Sequence, residues 1–252
     1  MPSSPVPVTR VRVSAHATHG NPGTPGTVER YRQALASGAD YVEFDIRRTA
    51  DGQLVAAHDP RVGQGERVSA VSYGRLCELA GHEVPLAADI LTAIKGRAKG
   101  HLDLKVTGGE DAVVRLALDI LGPGEFIITT LEDASVAAIR SEFGDPDAVP
   151  VALSLGRDMT RAPRAAWLRT RVSELRPLSR LRACGATWVA AEHRLALAGV
   201  SRQCRRHQIN VMVWTVNDER EMRYWLTGHR ADVLITDRPE LAVALRDRAT
   251  GP

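Results

Sequence analysis

Short apolar runs alternate along this chain with longer stretches in which apolar residues recur every three or four positions, the two periods of buried strand and amphipathic helix. The runs predict strands at 11–15, 41–47, 54–58, 101–106, 126–130, 149–155, 187–190, 211–216 and 232–236. Helical spacing falls between many of them, at 27–37, 110–121, 133–143, around 164–184, at 195–208 and at 218–227. Gly38, Gly122, Gly144 and Gly228 follow four of these helices, where a left-handed residue closes the last turn. Repeated strand-helix units, without a G-x-G-x-x-G turn after the first strand, predict a (β/α)8 TIM barrel over a doubly wound sheet. No linker divides the 252 residues, so 1–252 is expected to be a single domain.

Hydrophobic residues make up 44% and charged residues 25%, which argues against both a disordered and a membrane-spanning chain. Arginines gather at 161–182 and 202–206, but the net charge is only +3 and aromatics are 4%, too few for a stacking platform. Nucleic acid is therefore not an expected partner, and the basic segments read as solvated faces or weak contacts to anionic lipid. The first residues lack a charged-then-apolar leader. Cys77, Cys184 and Cys204 lack metal-ligand spacing. Both features point to reduced thiols and a cytoplasmic location.

The candidate chemistry starts in the second run. In an extended strand Glu43 and Asp45 share one face while Val42, Phe44 and Ile46 share the other. Two adjacent carboxylates repel unless a cation, a basic side chain or water lies between them, and oxygen-only ligands suit a hard ion such as Mg²⁺ or Ca²⁺. Asp51-Gly52 makes a turn into the next run, which ends at His58-Asp59. The first run ends in His16, and the 101–106 run places Asp103 and Lys105 on one face. Barrels of this class carry their chemistry at the C-terminal strand ends, where His16, His58, Thr130, Trp214 and Asn217 also fall.

In this order, His16, Gly38-Ala39-Asp40, Glu43-Phe44-Asp45, His58-Asp59, Asp103-Leu104-Lys105, Trp214-Thr215-Val216-Asn217 and Ile235-Thr236-Asp237-Arg238-Pro239 resemble the motifs of the glycerophosphodiester phosphodiesterase family. The resemblance implies a metal-dependent phosphodiesterase acting on a small-molecule or lipid phosphodiester. It implies Glu43, Asp45 and Asp103 as ligands of Mg²⁺ or Ca²⁺, and His16 and His58 as the pair that divides the roles of nucleophile or base and general acid. Lys105 would carry positive charge to the phosphate, and Trp214 would wall the pocket.

The chain departs from the family pattern after the first histidine. It reads Ala17 where family members commonly carry Arg, and Thr24-Pro25-Gly26-Thr27 where they carry a Pro-Glu-Asn-Thr segment. His19, in that rebuilt loop, is a candidate substitute as phosphate donor. Three alternatives to hydrolysis follow: a cyclising lyase similar to sphingomyelinase D, a lyase acting on another phosphate or diphosphate ester, and a catalytically silent phosphate or lipid-binding barrel.

Overall fold

The computed structural model describes residues 10–16, 27–160 and 162–250. Among them, eight parallel strands close into a barrel in chain order: β1 (Arg12–His16), β2 (Tyr41–Arg48), β3 (Lys99–Leu104), β4 (Phe126–Thr130), β5 (Val151–Leu155), β6 (Trp188–Glu192), β7 (Asn210–Trp214) and β8 (Val233–Thr236). Closure is made by β1, which pairs with β8 on one side and β2 on the other. The (β/α)8 expectation from the alternating pattern is met, with helices between the strands.

Each strand has two apolar duties, which is why the runs read as nearly continuous. Outward residues such as Val42, Phe44, Ile46, Ile128, Leu153 and Val213 pack under the surrounding helices. Inward residues Tyr41, Ile127, Ala152, Ala190, Met212, Val233 and Ile235 fill the barrel. At its lower end the Arg12 guanidinium lies 5.5 Å from the Tyr41 ring centre and donates to the Tyr41 hydroxyl at 2.8 Å. The upper end is filled by polar groups, and there the barrel turns from core into site.

Several elements differ from the pattern. The run at 54–58 is not a barrel strand: Leu54–Ala56 folds back antiparallel on the end of β2. It opens an excursion between β2 and β3 with its own small core of Val55, Ala57, Val62, Val68, Leu76 and Val84. Two helices in that excursion, Tyr73–Ala80 and Ala87–Ile94, were not foreseen, although buried Ala87, Ile90, Leu91 and Ile94 keep i, i+3, i+4, i+7 spacing. Pro239–Thr250 is a further unforeseen helix. The helix expected around 164–184 is two, Arg164–Leu175 and Leu178–Cys184, separated at Pro177. Proline cannot donate to the preceding turn.

Candidate active site

In-register pairing assembles the site. Glu43 aligns with His16 on one side and His101 on the other, Asp45 aligns with Asp103, and Asp103 aligns with Thr129. Since inward positions alternate, these side chains converge at the C-terminal mouth of the barrel. Oxygens of Glu43, Asp45 and Asp103 lie within 4.8 Å of one another. Glu43 and Asp45 are buried, and one Asp45 carboxylate oxygen, Oδ2, is buried with no hydrogen-bond partner.

Lys105, just past the end of β3, is the cation nearest these acids. Its Nζ lies 3.0 Å from Asp45 Oδ1 and 2.5 Å from Asp103 Oδ2. Burial opposes its charge, but the two carboxylates win and raise its pKa well above the ordinary lysine value. Burial likewise pushes the Asp45 carboxyl above the usual range, against the pull of Lys105. One ammonium therefore does not satisfy three carboxylates. A hard divalent cation fits the oxygen-only set and the orphaned Asp45 oxygen.

The histidines flank this cluster. His16 Nδ1 is 2.6 Å from Asp237 Oδ1, and its Nε2 is 3.9 Å from Glu43 Oε2. Burial acts against the imidazolium, yet Glu43 and Asp237 together raise the His16 pKa to about 9. Asp237 is itself held: Asn217 Nδ2 donates to its Oδ2 at 2.6 Å, and its own N–H donates to Asn217 Oδ1 at 2.9 Å. His58 stands half-exposed across the opening with Nδ1 2.9 Å from Asp59 Oδ1, and Arg47 clamps its carbonyl through Nε and Nη2. Fold-back of Leu54–Ala56 on β2 is what brings His58 there.

A cavity of 260 Å³ joins these groups: His16, Glu43, His58, Asp103, Lys105 and Trp214 all line it. Trp214 points inward from β7 and donates Nε1–H to the Ala190 carbonyl at 3.0 Å. Gly156 lets it approach, since a Cβ there would stand 3.2 Å from Trp214 Cζ2 and 2.5 Å from Glu192 Cβ. Beside the cavity, and sharing Lys105 and Leu131 with it, opens a cleft of 1160 Å³ bordered by Arg47, Arg48, Arg67 and Arg157. His19 lies outside the described residues, as does Ala17.

A family model described as the glycerophosphoryl diester phosphodiesterase family matches residues 20–85 and 103–241. The chain belongs to this family. A glycerophosphodiester phosphodiesterase of Arabidopsis thaliana is 25% identical over 241 residues, covering 93% of this chain and 73% of that protein. Among solved structures, a glycerophosphodiester phosphodiesterase from Parabacteroides distasonis superposes with a TM-score of 0.75 at 19% identity, covering 96% of this chain and 99% of the other. A phosphodiesterase of Oleispira antarctica, solved with the product sn-glycerol-3-phosphate, gives 0.69 at 14% identity, covering 94% and 97%.

Within this phosphodiesterase fold, sequence reasoning overlooked a buried relay behind the carboxylates. Thr129 donates its hydroxyl to Asp103 Oδ1 at 2.6 Å, His101 Nε2 lies 3.1 Å from that hydroxyl, and Ser14 Oγ lies 2.9 Å from His101 Nδ1. Burial lowers the His101 pKa to about 4, so its ring is neutral. With the Thr129 proton committed to Asp103, His101 carries its hydrogen on Nε2 and accepts from Ser14 on Nδ1. The signal was present in sequence, since His101 and Ser14 lie two residues before Asp103 and His16 on the inward face of their strands. Asp237 was quoted there only as part of a motif; its contact with His16 spans 221 positions of chain.

Proposed function

We propose that this chain, as one catalytic domain, hydrolyses a glycerophosphodiester or lysophospholipid-type phosphodiester with Glu43, Asp45 and Asp103 holding Mg²⁺ or Ca²⁺. The observation that carries the reading is the triad of carboxylates, two of them buried, with an unpartnered Asp45 oxygen, set between two histidines at a barrel mouth. When bound, such a cation would neutralise the phosphate and polarise its ester oxygens. A positive charge at Glu43 also opposes protonation of His16, which brings its Nε2 toward the neutral form that can act as nucleophile or base.

The protein residues divide the remaining work. Asp237 holds His16 by Nδ1 and leaves Nε2 directed at the cavity. His58, on the opposite side, returns a proton to the departing alcohol oxygen, the arrangement an in-line displacement at phosphorus needs. Lys105 offers charge to the phosphate oxygens, and Trp214 closes one wall against water. The product bound in the Oleispira antarctica structure supports sn-glycerol-3-phosphate as the product here. Unpaired cysteines Cys77, Cys184 and Cys204 fit a reducing, cytoplasmic setting. Among the described residues no helix is long and apolar enough to cross a membrane.

The test is turnover of glycerophosphodiesters and lysophospholipids with added Mg²⁺ or Ca²⁺ in ¹⁸O-water, reading product masses. A phosphomonoester carrying one heavy oxygen is the expected product. An unlabelled cyclic phosphate would replace hydrolysis by internal transfer, the alternative that Ala17 keeps open. Metal binding without turnover of any substrate would leave a silent binding barrel.

A further inference from the structure

The helix Arg164–Leu175 is turned inside out. At about 100° per residue, Arg164, Trp167, Leu168, Arg171 and Val172 share an arc of about 140°, Ala166, Thr170 and Ser173 lie opposite, and Glu174 stands on the flank beside Trp167. The polar side faces the barrel. Glu174 is buried and accepts from the Gly156 and Arg157 backbone N–H groups at 2.9 and 3.0 Å. Thr170 and Ser173 border a 420 Å³ cavity with Ser154, Arg157 and Arg180.

The apolar side faces solvent up to Val172, while Leu175 at the end of the helix packs against the core. Trp167 is 46% exposed, Leu168 58% and Val172 50%, and Leu197, at 50%, extends the face from the turn Ala196–Val200 that packs against this helix. Those four are among the five large hydrophobic side chains most exposed in the described residues. Both segments follow C-terminal strand ends, β5 and β6, so the face lies on the rim of the barrel that carries the carboxylate cavity.

The exposed charge of the helix has one sign. Arg164, Arg169 and Arg194 are exposed, and the single acid of the helix, Glu174, is buried and paired with Arg171. A two-fold contact between copies would bring this positive patch against itself. An anionic lipid surface instead satisfies both halves of the pattern: apolar side chains enter the headgroup boundary, tryptophan prefers that depth, and arginine stems lie along the apolar surface with their charge on lipid phosphates.

We propose that this face docks the protein on an anionic phospholipid bilayer, with Trp167, Leu168, Val172 and Leu197 as the inserted side chains and Arg164, Arg169 and Arg194 as the phosphate contacts. Docking stands apart from the catalytic reading. If that reading holds, docking turns the barrel mouth toward lipid and favours a lysophospholipid as substrate.

The experiment is co-sedimentation of the full chain with vesicles of phosphatidylcholine alone and of phosphatidylcholine mixed with phosphatidylglycerol. Binding to the mixed vesicles is expected to be at least about tenfold stronger, falling as salt rises. A triple variant, Trp167→Ser, Leu168→Ser and Val172→Ser, is expected to lose at least about tenfold of it. Arg164→Glu with Arg169→Glu should lose about fivefold per arginine or more. All five positions are exposed, and unchanged circular dichroism and melting temperature check that the variants fold. Equal binding to both vesicle types, or wild-type binding by the triple variant, overturns the proposal. So does a wild-type dimer in sedimentation velocity that the triple variant dissociates, because the face then belongs to a second copy. Turnover of a water-soluble glycerophosphodiester is followed in parallel; its absence with vesicle binding intact removes the catalytic reading and supports docking as a separate property.

Discussion

Asp45 and Asp103 stand opposite each other on neighbouring parallel strands, both turned into the barrel and both within an ion-pair distance of Lys105 Nζ, at 3.0 and 2.5 Å. Parallel pairing fixes that juxtaposition, because residues in register on β2 and β3 share a face. Burial works against ionisation of Asp103, yet Lys105 and the Thr129 hydroxyl hold its pKa below the ordinary carboxyl value. Asp103 is thus held in its charged form beside Glu43.

The ligand assignment predicts a separation between binding and turnover. Glu43→Ala and Asp103→Ala should each weaken Mg²⁺ or Ca²⁺ binding by at least the ~10- to 100-fold that loss of an outer partner costs at metal sites. His58→Ala should keep metal affinity and lose turnover. Isothermal titration beside a phosphodiesterase assay measures both; equal metal affinity in all three variants removes the assignment.

Thr129→Val takes a donor from Asp103 and strands the His101 Nε2–H in a buried position. A cost of about 1–3 kcal/mol in folding stability is expected, with metal affinity reduced ~10-fold or more. Thr129→Ser keeps the hydroxyl and should recover most of both. Urea unfolding and metal titration of the pair of variants decide it; a valine variant that binds metal like the parent would show that the relay does not tune Asp103.

Gly156 adopts φ +116°, a region closed to most side chains, and its surroundings are filled by the Glu192 Cβ and the Trp214 ring. Gly156→Ala therefore combines backbone strain with a clash against groups that cannot swing away. The expected loss is roughly 3 kcal/mol, read as a lower melting temperature, together with a shifted Trp214 environment in near-ultraviolet circular dichroism. An unchanged melting temperature would mean that the loop after β5 moves at little cost.

Glu110 opens the helix Glu110–Ile120 and receives the Ser135 hydroxyl at 2.6 Å. Partial burial acts against its charge, but Ser135 and the N–H groups of Glu110, Gly108 and Gly109 bring its carboxyl below the ordinary value. A pKa depressed in the folded state stabilises at pH above the unfolded value, near 4.3, and the gain is lost as pH falls through the folded one. Glu110→Gln should lower the urea midpoint at pH 7, with the difference closing in acid. A gap that persists at pH 3 would assign the effect to packing instead of charge.

Strand positions were legible because barrel strands are buried on both faces and read as apolar runs, and the interruption of that pattern by Glu43, Asp45, Asp103 and Lys105 marked the candidate site. The excursion 54–98 was less legible. Its first part, 54–84, packs on a small local core and on the end of β2, so its short apolar runs carry no barrel period, whereas Ala87–Ile94 joins the main core. Helix breaks at Pro177 and at Gly199, whose φ is +117°, are local events inside otherwise continuous helical spacing.

By itself, then, the sequence determined what is periodic or local: the alternation of strand and helix, the shared face of Glu43 and Asp45, and the glycines that end helices. Tertiary structure decided which distant residues meet. Barrel closure brings Asp237 onto His16, the successive pairing of β1, β2, β3 and β4 builds the Ser14–His101–Thr129–Asp103 relay, and the fold-back of Leu54–Ala56 delivers His58. It also decided that Arg164–Leu175 turns its apolar side outward. Hydrophobic period reports that a helix has two faces, but which one meets the barrel depends on the neighbours, here the buried Glu174 and the N–H groups it accepts from.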